Sequence, residues 1–210
     1  MPSNSSGIQV GYLAGLYSDP MRIGWLISPG GWRRPPSWLP VALDNGAFGA
    51  FTRGEEFDVA AWKQHIELAH TQCQPLWMVV PDVVADRTRT MEAFRKWQPY
   101  LAEKYPNTPL AFAVQDGMTK DDVPPESEVV FIGGTTEWKW KNMKHFTTHF
   151  PRVHAARVGT ERLLHMAHNA GCESADSTGF TRGGEHRIAG LHRYLEETTN
   201  GKKHNQLELL

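Results

Sequence analysis

Short apolar runs alternate with longer segments of helical period along most of this chain, and this alternation constrains the fold more than any other feature. Eight apolar runs predict β-strands: Ile8–Leu13, Arg22–Ile27, Val41–Leu43, Leu76–Val80, Leu110–Val114, Val129–Ile132, Val153–Val158 and Glu173–Ala175. Strands that are separated by helices have to pair in parallel, because only a crossover connection returns the chain to the same edge of the sheet.

Four segments have the period of amphipathic helices: Asp58–Gln72, Asp86–Lys104, Thr160–Ala170 and Glu185–Thr198. Helix starts are expected at Asp58, at Asp86 or Thr88, and at Thr160, because each of these side chains can accept a hydrogen bond from a free backbone N–H group. Gly171 follows the third segment and is typical of a helix C-terminus.

Eight apolar strands in series predict an α/β fold. We expect a compact (β/α)8 TIM-like barrel, irregular in its first two connections, with both faces of the sheet buried. A doubly wound open sheet is the alternative, but the sequence has no GxGxxG phosphate loop to support it. Residues 1–210 are predicted to form a single domain with flexible ends at 1–7 and 200–210.

The composition excludes several classes of protein. No apolar run approaches the ~20 residues that would cross a bilayer, so no membrane association is expected. The formal net charge is −1, so a nucleic-acid-binding surface would have to gather its positive charge locally. The two cysteines, Cys73 and Cys172, form no CxxC pair, and we predict no metal site.

Polar residues follow the ends of six predicted strands, in a pattern that favours an enzyme. The segments are Asp44-Asn45-Gly46, Pro81-Asp82, Gln115-Asp116-Gly117, Gly133-Gly134-Thr135, Gly159-Thr160 and Asp176-Ser177-Thr178. In a barrel these positions share one rim, where barrel enzymes place their chemistry. Paired carboxylates there suit glycosyl transfer, in which one acts as nucleophile and another moves protons. Aldolase and decarboxylase chemistry stay open on composition alone, although no lysine follows a predicted strand to form a Schiff base.

Five of these motifs, in order, resemble those of the tRNA-guanine transglycosylase superfamily. They are Asp44-Asn45-Gly46-Ala47-Phe48, Pro81-Asp82, Val114-Gln115-Asp116-Gly117, Gly133-Gly134, and the stretch from Arg157-Val158-Gly159 to Asp176 and Thr181-Arg182. The similarity runs from about residue 43 to residue 187. The family's zinc-binding subdomain is absent, Ala47 and Asp116 replace glycines, and Thr135 replaces a leucine. The chain is closest in character to the short, zinc-free enzymes that insert 7-deazaguanine bases into the DNA of phages and bacteria.

The resemblance implies a role for each matching residue. Asp176 takes the position of the nucleophile that attacks C1′ of the target nucleotide, and Asp44 takes that of the general acid and base. The base-binding positions are Asn45, Phe48, Asp82, Gln115, Gly133 and Gly134. Arg182 takes the position of a phosphate-contacting arginine, and we assign Arg187, which follows on the same loop, to the same role.

A second group of cations lies just after the Gly133-Gly134 turn, where aromatic and basic residues are interleaved from Trp138 to His145. Lys139 and Lys141 are candidates for phosphate contacts, with a neighbouring tryptophan stacking on a base. The alternative is that the tryptophans pack a helix onto the sheet while the lysines face solvent.

The resemblance implies a DNA-guanine transglycosylase that exchanges guanine for a 7-deazaguanine such as preQ0. Its target guanine is flipped out of double-stranded DNA. Because the exchange is nearly isoenergetic, no cofactor is expected. The alternatives are a transglycosylase acting on tRNA or other RNA, a base-excising N-glycosidase, and a non-catalytic nucleic-acid-binding barrel. We expect a cytoplasmic protein, in the host cytoplasm if a phage encodes it, in which a protein partner or a homodimer could extend the DNA-binding surface.

Overall fold

The structure is a computed structural model and describes residues 23–199. Seven strands form one sheet: β1 (Trp25–Ile27), β2 (Val41–Leu43), β3 (Met78–Val79), β4 (Leu110–Val114), β5 (Val129–Ile132), β6 (Val153–Ala155) and β7 (Ser174–Ala175). Their order in the sheet is their order in the chain, and every neighbouring pair is parallel.

The expectation of an eight-stranded closed barrel is wrong. The described residues form a single seven-stranded parallel sheet that is curled into a half-barrel. A closed barrel needs an unbroken ring of strand pairs, whereas among residues 23–199 β1 pairs only with β2 and β7 only with β6. The first of the eight predicted strands, Ile8–Leu13, lies outside the described residues.

The helices alternate with the strands as predicted, although not all were foreseen. They are α1 (Ala47–Arg53), α2 (Val59–His70), α3 (Arg87–Lys104), a 3-10 turn (Lys120–Asp122), α4 (Thr136–His149), α5 (Glu161–Ala170), α6 (Gly179–Arg182) and α7 (Glu185–Thr199). The predicted helix starts are confirmed, since Asp58, Asp86 and Thr160 each accept a hydrogen bond from the N–H group three residues on. Gly171 ends α5 with a φ of 96°, as its position predicted.

The two faces of the sheet are packed differently. One face carries the larger core, in which strand residues such as Phe112 and Ile132 pack against buried side chains of α2, α3, α4 and α5. The other face has a smaller core formed by alternate strand positions, including Ala42, Val79 and Ala113. The helices therefore cover the convex face, and the concave face closes largely on itself.

Contacts across the concave face show how strongly the sheet curls. Trp77 precedes β3 and His154 lies in β6, so about 14 Å would separate them along a flat sheet, at ~4.8 Å per strand. Their ring centroids are 4.9 Å apart, and Phe131 of β5 stacks on His154 at 5.0 Å. This curl brings the ends of distant strands towards one another.

Candidate active site

Polar or charged residues follow six of the seven described strands at the carboxyl edge of the sheet, and a glycine turn follows the remaining strand, β5. In strand order they are Ser28, Asp44-Asn45, Asp82, Gln115-Asp116, the Gly133-Gly134 turn, Arg157 and Asp176. Hydrogen bonds link residues from neighbouring strand ends, so the edge forms a connected polar site.

Asp82 is the centre of this network. Its Oδ1 accepts a hydrogen bond from Asn45 Nδ2 at 2.7 Å, and its Oδ2 accepts one from Gln115 Nε2 at 2.7 Å. Backbone N–H groups orient both amides, since Ala47 N donates to Asn45 Oδ1 and Ala85 N donates to Gln115 Oε1. Both NH2 groups are thereby turned towards Asp82, which the site holds as a hydrogen-bond acceptor.

The environment of Asp82 makes its ionisation sensitive to pH. Burial raises the pKa of Asp82 to about 7, the hydrogen bond from Asn45 opposes this increase, and the nearby charge of Asp44 adds to it. An ionised carboxylate has about four lone-pair positions, so the two amide bonds leave Asp82 able to accept N–H donors from a ligand.

Asp44 accepts a hydrogen bond from the end of β1, and its pKa responds to the charge of a carboxylate that follows a distant strand. Ser28 Oγ donates to Asp44 Oδ2 at 2.6 Å. Burial raises the pKa of Asp44, Ser28 opposes the increase, and the charge of Asp176 adds to it. Asp44 follows β2 and Asp176 follows β7, five strand positions away. The curl of the sheet therefore brings these two carboxylates within electrostatic reach of each other.

Asp176 is anchored by one of its two carboxylate oxygens. Its Oδ1 accepts a hydrogen bond from Arg157 N at 3.1 Å and lies 3.1 Å from His154 Nε2. His154 is fixed in turn by Ser174, whose Oγ lies 2.8 Å from Nδ1. The side chain of Asp176 is 23% exposed, so this fixed carboxylate is open to a ligand.

Arg157 lies on the exposed aromatic ring of Phe48. Its Cζ atom is 4.3 Å from the centre of that ring, and its NH2 group donates to the carbonyl oxygen of Gly134. Its backbone has a φ of 60°, in the left-handed region that side chains other than glycine rarely adopt. Burial lowers the pKa of Arg157, while Asp176, Asp116 and Asp82 partly offset that decrease.

The sequence motifs predicted no role for Ser28, His154 or Arg157. Ser28 follows β1 directly, as the predicted site residues follow their strands, and that rule would have found it. His154 is a polar residue inside an apolar run, and Arg157 directly precedes the Val158-Gly159 part of a matched motif. The contact of Arg157 with Phe48, however, joins the ends of β6 and β2 and depends on the curl of the sheet, which no local pattern encodes.

The Gly133-Gly134 turn is closely packed within the site. Gly134 has a φ of 65°, and a Cβ atom there would lie 2.6 Å from Asp116 Oδ2 and 2.8 Å from Trp138 Cε3. The N–H groups of Gly133 and Gly134 donate to Val114 O and Gln115 Oε1. The carbonyl of Gly134, which accepts from Arg157, is the part of this turn that is directed into the site.

Asp116, which departs from the family's glycine, ties two strand ends together. It accepts hydrogen bonds from Thr135 N at 2.7 Å and from Thr135 Oγ1 at 2.5 Å. The loops after β4 and β5 are thereby joined beside the site.

The four predicted phosphate contacts have different surroundings. Lys141 and Arg182 are exposed, whereas Arg187 is half-buried and donates to the carbonyl of Gly159. Lys139 is 1% exposed and donates to the carbonyl of Ala156, so it supports the backbone behind the site. Burial and the charge of Arg157 together lower the pKa of Lys139 to about 8, while the charge of Asp176 opposes the decrease. Only Lys141 and Arg182 are placed on the surface.

A cavity of about 250 Å³ opens beside the polar edge, between the end of β1 and helix α1. Ser28, Asn45 and Gly46 line its inner side, and Arg53 and Glu56 are among the residues on its outer side. It therefore adjoins Asp44 and its neighbours on the β1 side of the site.

Within residues 23–199, no group of three or more histidine, cysteine, aspartate or glutamate side chains is arranged to hold a metal ion. None of the helices described is both long and apolar enough to cross a membrane.

No protein-family model matches the chain, and no curated protein shows significant similarity to it. The resemblance to guanine transglycosylases therefore rests on the motifs themselves.

Proposed function

We propose that this protein is a base-exchange transglycosylase that replaces guanine in DNA with a 7-deazaguanine base such as preQ0. The observation that carries the proposal is the meeting of Asp44 and Asp176 at one edge of the sheet, beside the acceptor network of Asp82. Two carboxylates at one site are the groups that glycosyl transfer through a covalent intermediate requires.

Asp176 is the nucleophile in this proposal. The hydrogen bond from Arg157 N and the contact with His154 fix one carboxylate oxygen, and the other is left to attack. Attack on C1′ forms an ester between Asp176 and the sugar and breaks the bond between C1′ and N9 of guanine. Holding the carboxylate in one orientation lowers the entropic cost of reaching the reactive geometry.

Asp44 transfers the protons of both half-reactions. Because burial raises its pKa, Asp44 keeps its proton to a higher pH than an ordinary aspartate does, and it donates that proton to the departing guanine. The incoming deazaguanine then attacks C1′ through N9, releases its N9 proton to Asp44, and frees Asp176. Asp44 ends the cycle protonated, as it began, so no net proton is consumed.

Asp82 and the carbonyl of Gly134 bind the base by its N–H groups. The amides of Asn45 and Gln115 prevent the Asp82 carboxylate from turning away, so its remaining lone pairs stay available for the N1–H and 2-amino groups of a guanine-type base. Phe48, which is 41% exposed, supplies a flat surface on which the base can stack.

The test is to incubate the protein with double-stranded DNA and preQ0, digest the DNA, and measure the deazapurine deoxynucleoside by mass spectrometry. Asp176→Ala should reduce incorporation by at least ~10³-fold, the scale of loss when a covalent nucleophile is removed. Asp116→Asn is the matched control, because it alters a carboxylate at the same edge that takes no part in the proposed chemistry.

The alternatives give different products. Incorporation into tRNA but not DNA would change the polymer and leave the chemistry intact. Abasic sites in place of preQ0 would indicate hydrolysis by an N-glycosidase. Equal incorporation by the wild-type protein and Asp176→Ala would refute Asp176 as the nucleophile. Binding of DNA with no product under any condition would favour the non-catalytic alternative.

A further inference from the structure

Arg157 occupies the place where the proposed substrate base would stack. Its planar guanidinium lies over the face of Phe48, with Cζ 4.3 Å from the ring centre. Phe48 follows the Asp44-Asn45-Gly46 segment at the start of α1, so its exposed ring borders the carboxylate site. A cation over an aromatic face is attractive, and more strongly so when it is withdrawn from water.

The backbone directs Arg157 into this position. Its φ of 60° is costly for a residue with a Cβ atom, and such strain persists where the surroundings hold it. Here the N–H group of Arg157 donates to Asp176 at 3.1 Å, which fixes the peptide beside the proposed nucleophile. The side chain of Arg157 thus extends across the site from the same residue whose N–H group anchors Asp176.

The surroundings of the guanidinium are acceptors. It donates to the carbonyl oxygen of Gly134, and the charges of Asp176, Asp116 and Asp82 all act favourably on it. A guanidinium is flat and bears adjacent N–H donors. The N1–H and 2-amino edge of a guanine-type base has the same shape and the same donors, so both groups call for the same partners.

We propose that the side chain of Arg157 occupies the base site in the free protein. An incoming base with a guanidine-like edge has to displace the guanidinium from Phe48 and from the carbonyl of Gly134. Arg157 thereby sets the affinity and selectivity of the site. This inference rests on the proposed function for the identity of the base. A base without paired N–H donors gains less from the acceptors that Arg157 vacates, so it displaces the guanidinium less readily.

Removing the side chain should therefore tighten binding. Arg157→Gly keeps the N–H group that holds Asp176, and glycine adopts a φ of 60° without strain. We expect the dissociation constant for preQ0, measured by titration calorimetry, to fall about tenfold. This change corresponds to ~1.4 kcal/mol of binding free energy that the wild-type protein spends on displacing Arg157. Adenine, whose edge lacks the paired donors, should gain less. A variant that had only damaged the site would bind more weakly.

Two further variants make the test specific. Arg152→Ala removes an arginine that pairs with Glu173 just before β6, at the opposite end of the same strand, and should leave the affinity unchanged. Phe48→Leu removes the platform that Arg157 and the base share, and should weaken binding. In proton–nitrogen NMR spectra, the Arg157 side-chain signals should be shifted by the Phe48 ring in the free protein and should lose that shift when preQ0 is added.

The outcomes separate this inference from the proposed function. Tighter binding by Arg157→Gly supports the inference even if no base exchange is ever detected. If the wild-type protein binds preQ0 and Arg157→Gly binds it equally or more weakly, the inference is refuted while the proposed function stands. If neither protein binds preQ0, both are refuted. Binding that leaves the Arg157 signals unchanged also refutes the displacement.

Discussion

Asp82 should make the folded protein less stable as the pH rises towards and past neutrality. Burial raises its pKa from 3.8 to about 7 in the folded state, so folding favours the protonated form. The stabilisation is complete below the unfolded pKa of about 3.8 and is lost progressively until the pH passes the folded pKa. The full difference corresponds to about 4 kcal/mol, since each pKa unit is worth ~1.4 kcal/mol. Between about pH 5 and about pH 7, the loss should be roughly 2 kcal/mol.

The measurement is the free energy of unfolding by urea at several pH values, followed by tryptophan fluorescence. Asp82→Asn removes the ionisation, so the free energy of unfolding should fall less steeply with pH than in the wild-type protein, by roughly 2 kcal/mol over that range. The absolute stability of the variant is a separate matter, because an asparagine NH2 group would face the donor amide of Asn45 or Gln115. The prediction therefore concerns the slope.

A matched control isolates the effect of the site. Glu126→Gln neutralises an exposed carboxylate away from the sheet edge and should leave the slope of the wild-type protein unchanged. Parallel curves for the wild-type protein and Asp82→Asn would contradict the reasoning, because they would mean that Asp82 titrates alike in the folded and unfolded chain. The Asp44 carboxyl, whose pKa is also raised, contributes in the same direction to both proteins, so a residual slope is expected in Asp82→Asn.

Two further predictions concern the packing of the site and its contact with nucleic acid. Gly134→Ala should lower the free energy of unfolding by about 2 to 4 kcal/mol, because its Cβ atom would meet neighbours at 2.6 and 2.8 Å. Gly117→Ala, with a φ of 78° but open space around it, should cost only about 1 kcal/mol, and equal losses in urea unfolding would contradict the packing argument. Arg182→Ala should weaken DNA binding and reduce the salt dependence of the binding constant by about one ion, as measured by fluorescence anisotropy. An unchanged salt dependence would remove Arg182 from the phosphate-binding surface.

The sequence predicted the elements of this fold better than their assembly. Hydrophobic period and capping residues placed α2, α3, α5 and α7 within two residues of their observed ends, because both signals are local. The short helix α1 was missed, since the Ala47–Arg53 segment begins after the left-handed Gly46, which has no side chain to cap the helix. Helix α4 was considered only as an alternative to a nucleic-acid-binding segment, and the burial of Lys139 in it was not expected.

The main error of the sequence-based prediction was the closed barrel, and this error has a physical cause. Buried parallel strands are equally apolar in a closed barrel and in a curled open sheet, so periodicity does not distinguish the two. The difference lies in the pairing of the outermost strands, which depends on the cumulative twist and tilt of all seven. The strand-end rule for placing polar residues holds in both architectures, and for this reason Asp44, Asp82, Gln115 and Asp176 lie at one edge of the sheet although the sheet is not closed. The roles assigned to them stay predictions.

An open sheet can still bring strand-end residues together as the rim of a barrel does, because their grouping depends on the curvature of the sheet and not on its closure. The two carboxylates proposed to share the reaction follow strands five positions apart, and they interact because Trp77, Phe131 and His154 pack closely inside the curl. His154 belongs both to the concave core and to the candidate site, since its ring fills that core and its Nε2 lies 3.1 Å from Asp176. The packing that bends the sheet thus also orients the proposed nucleophile.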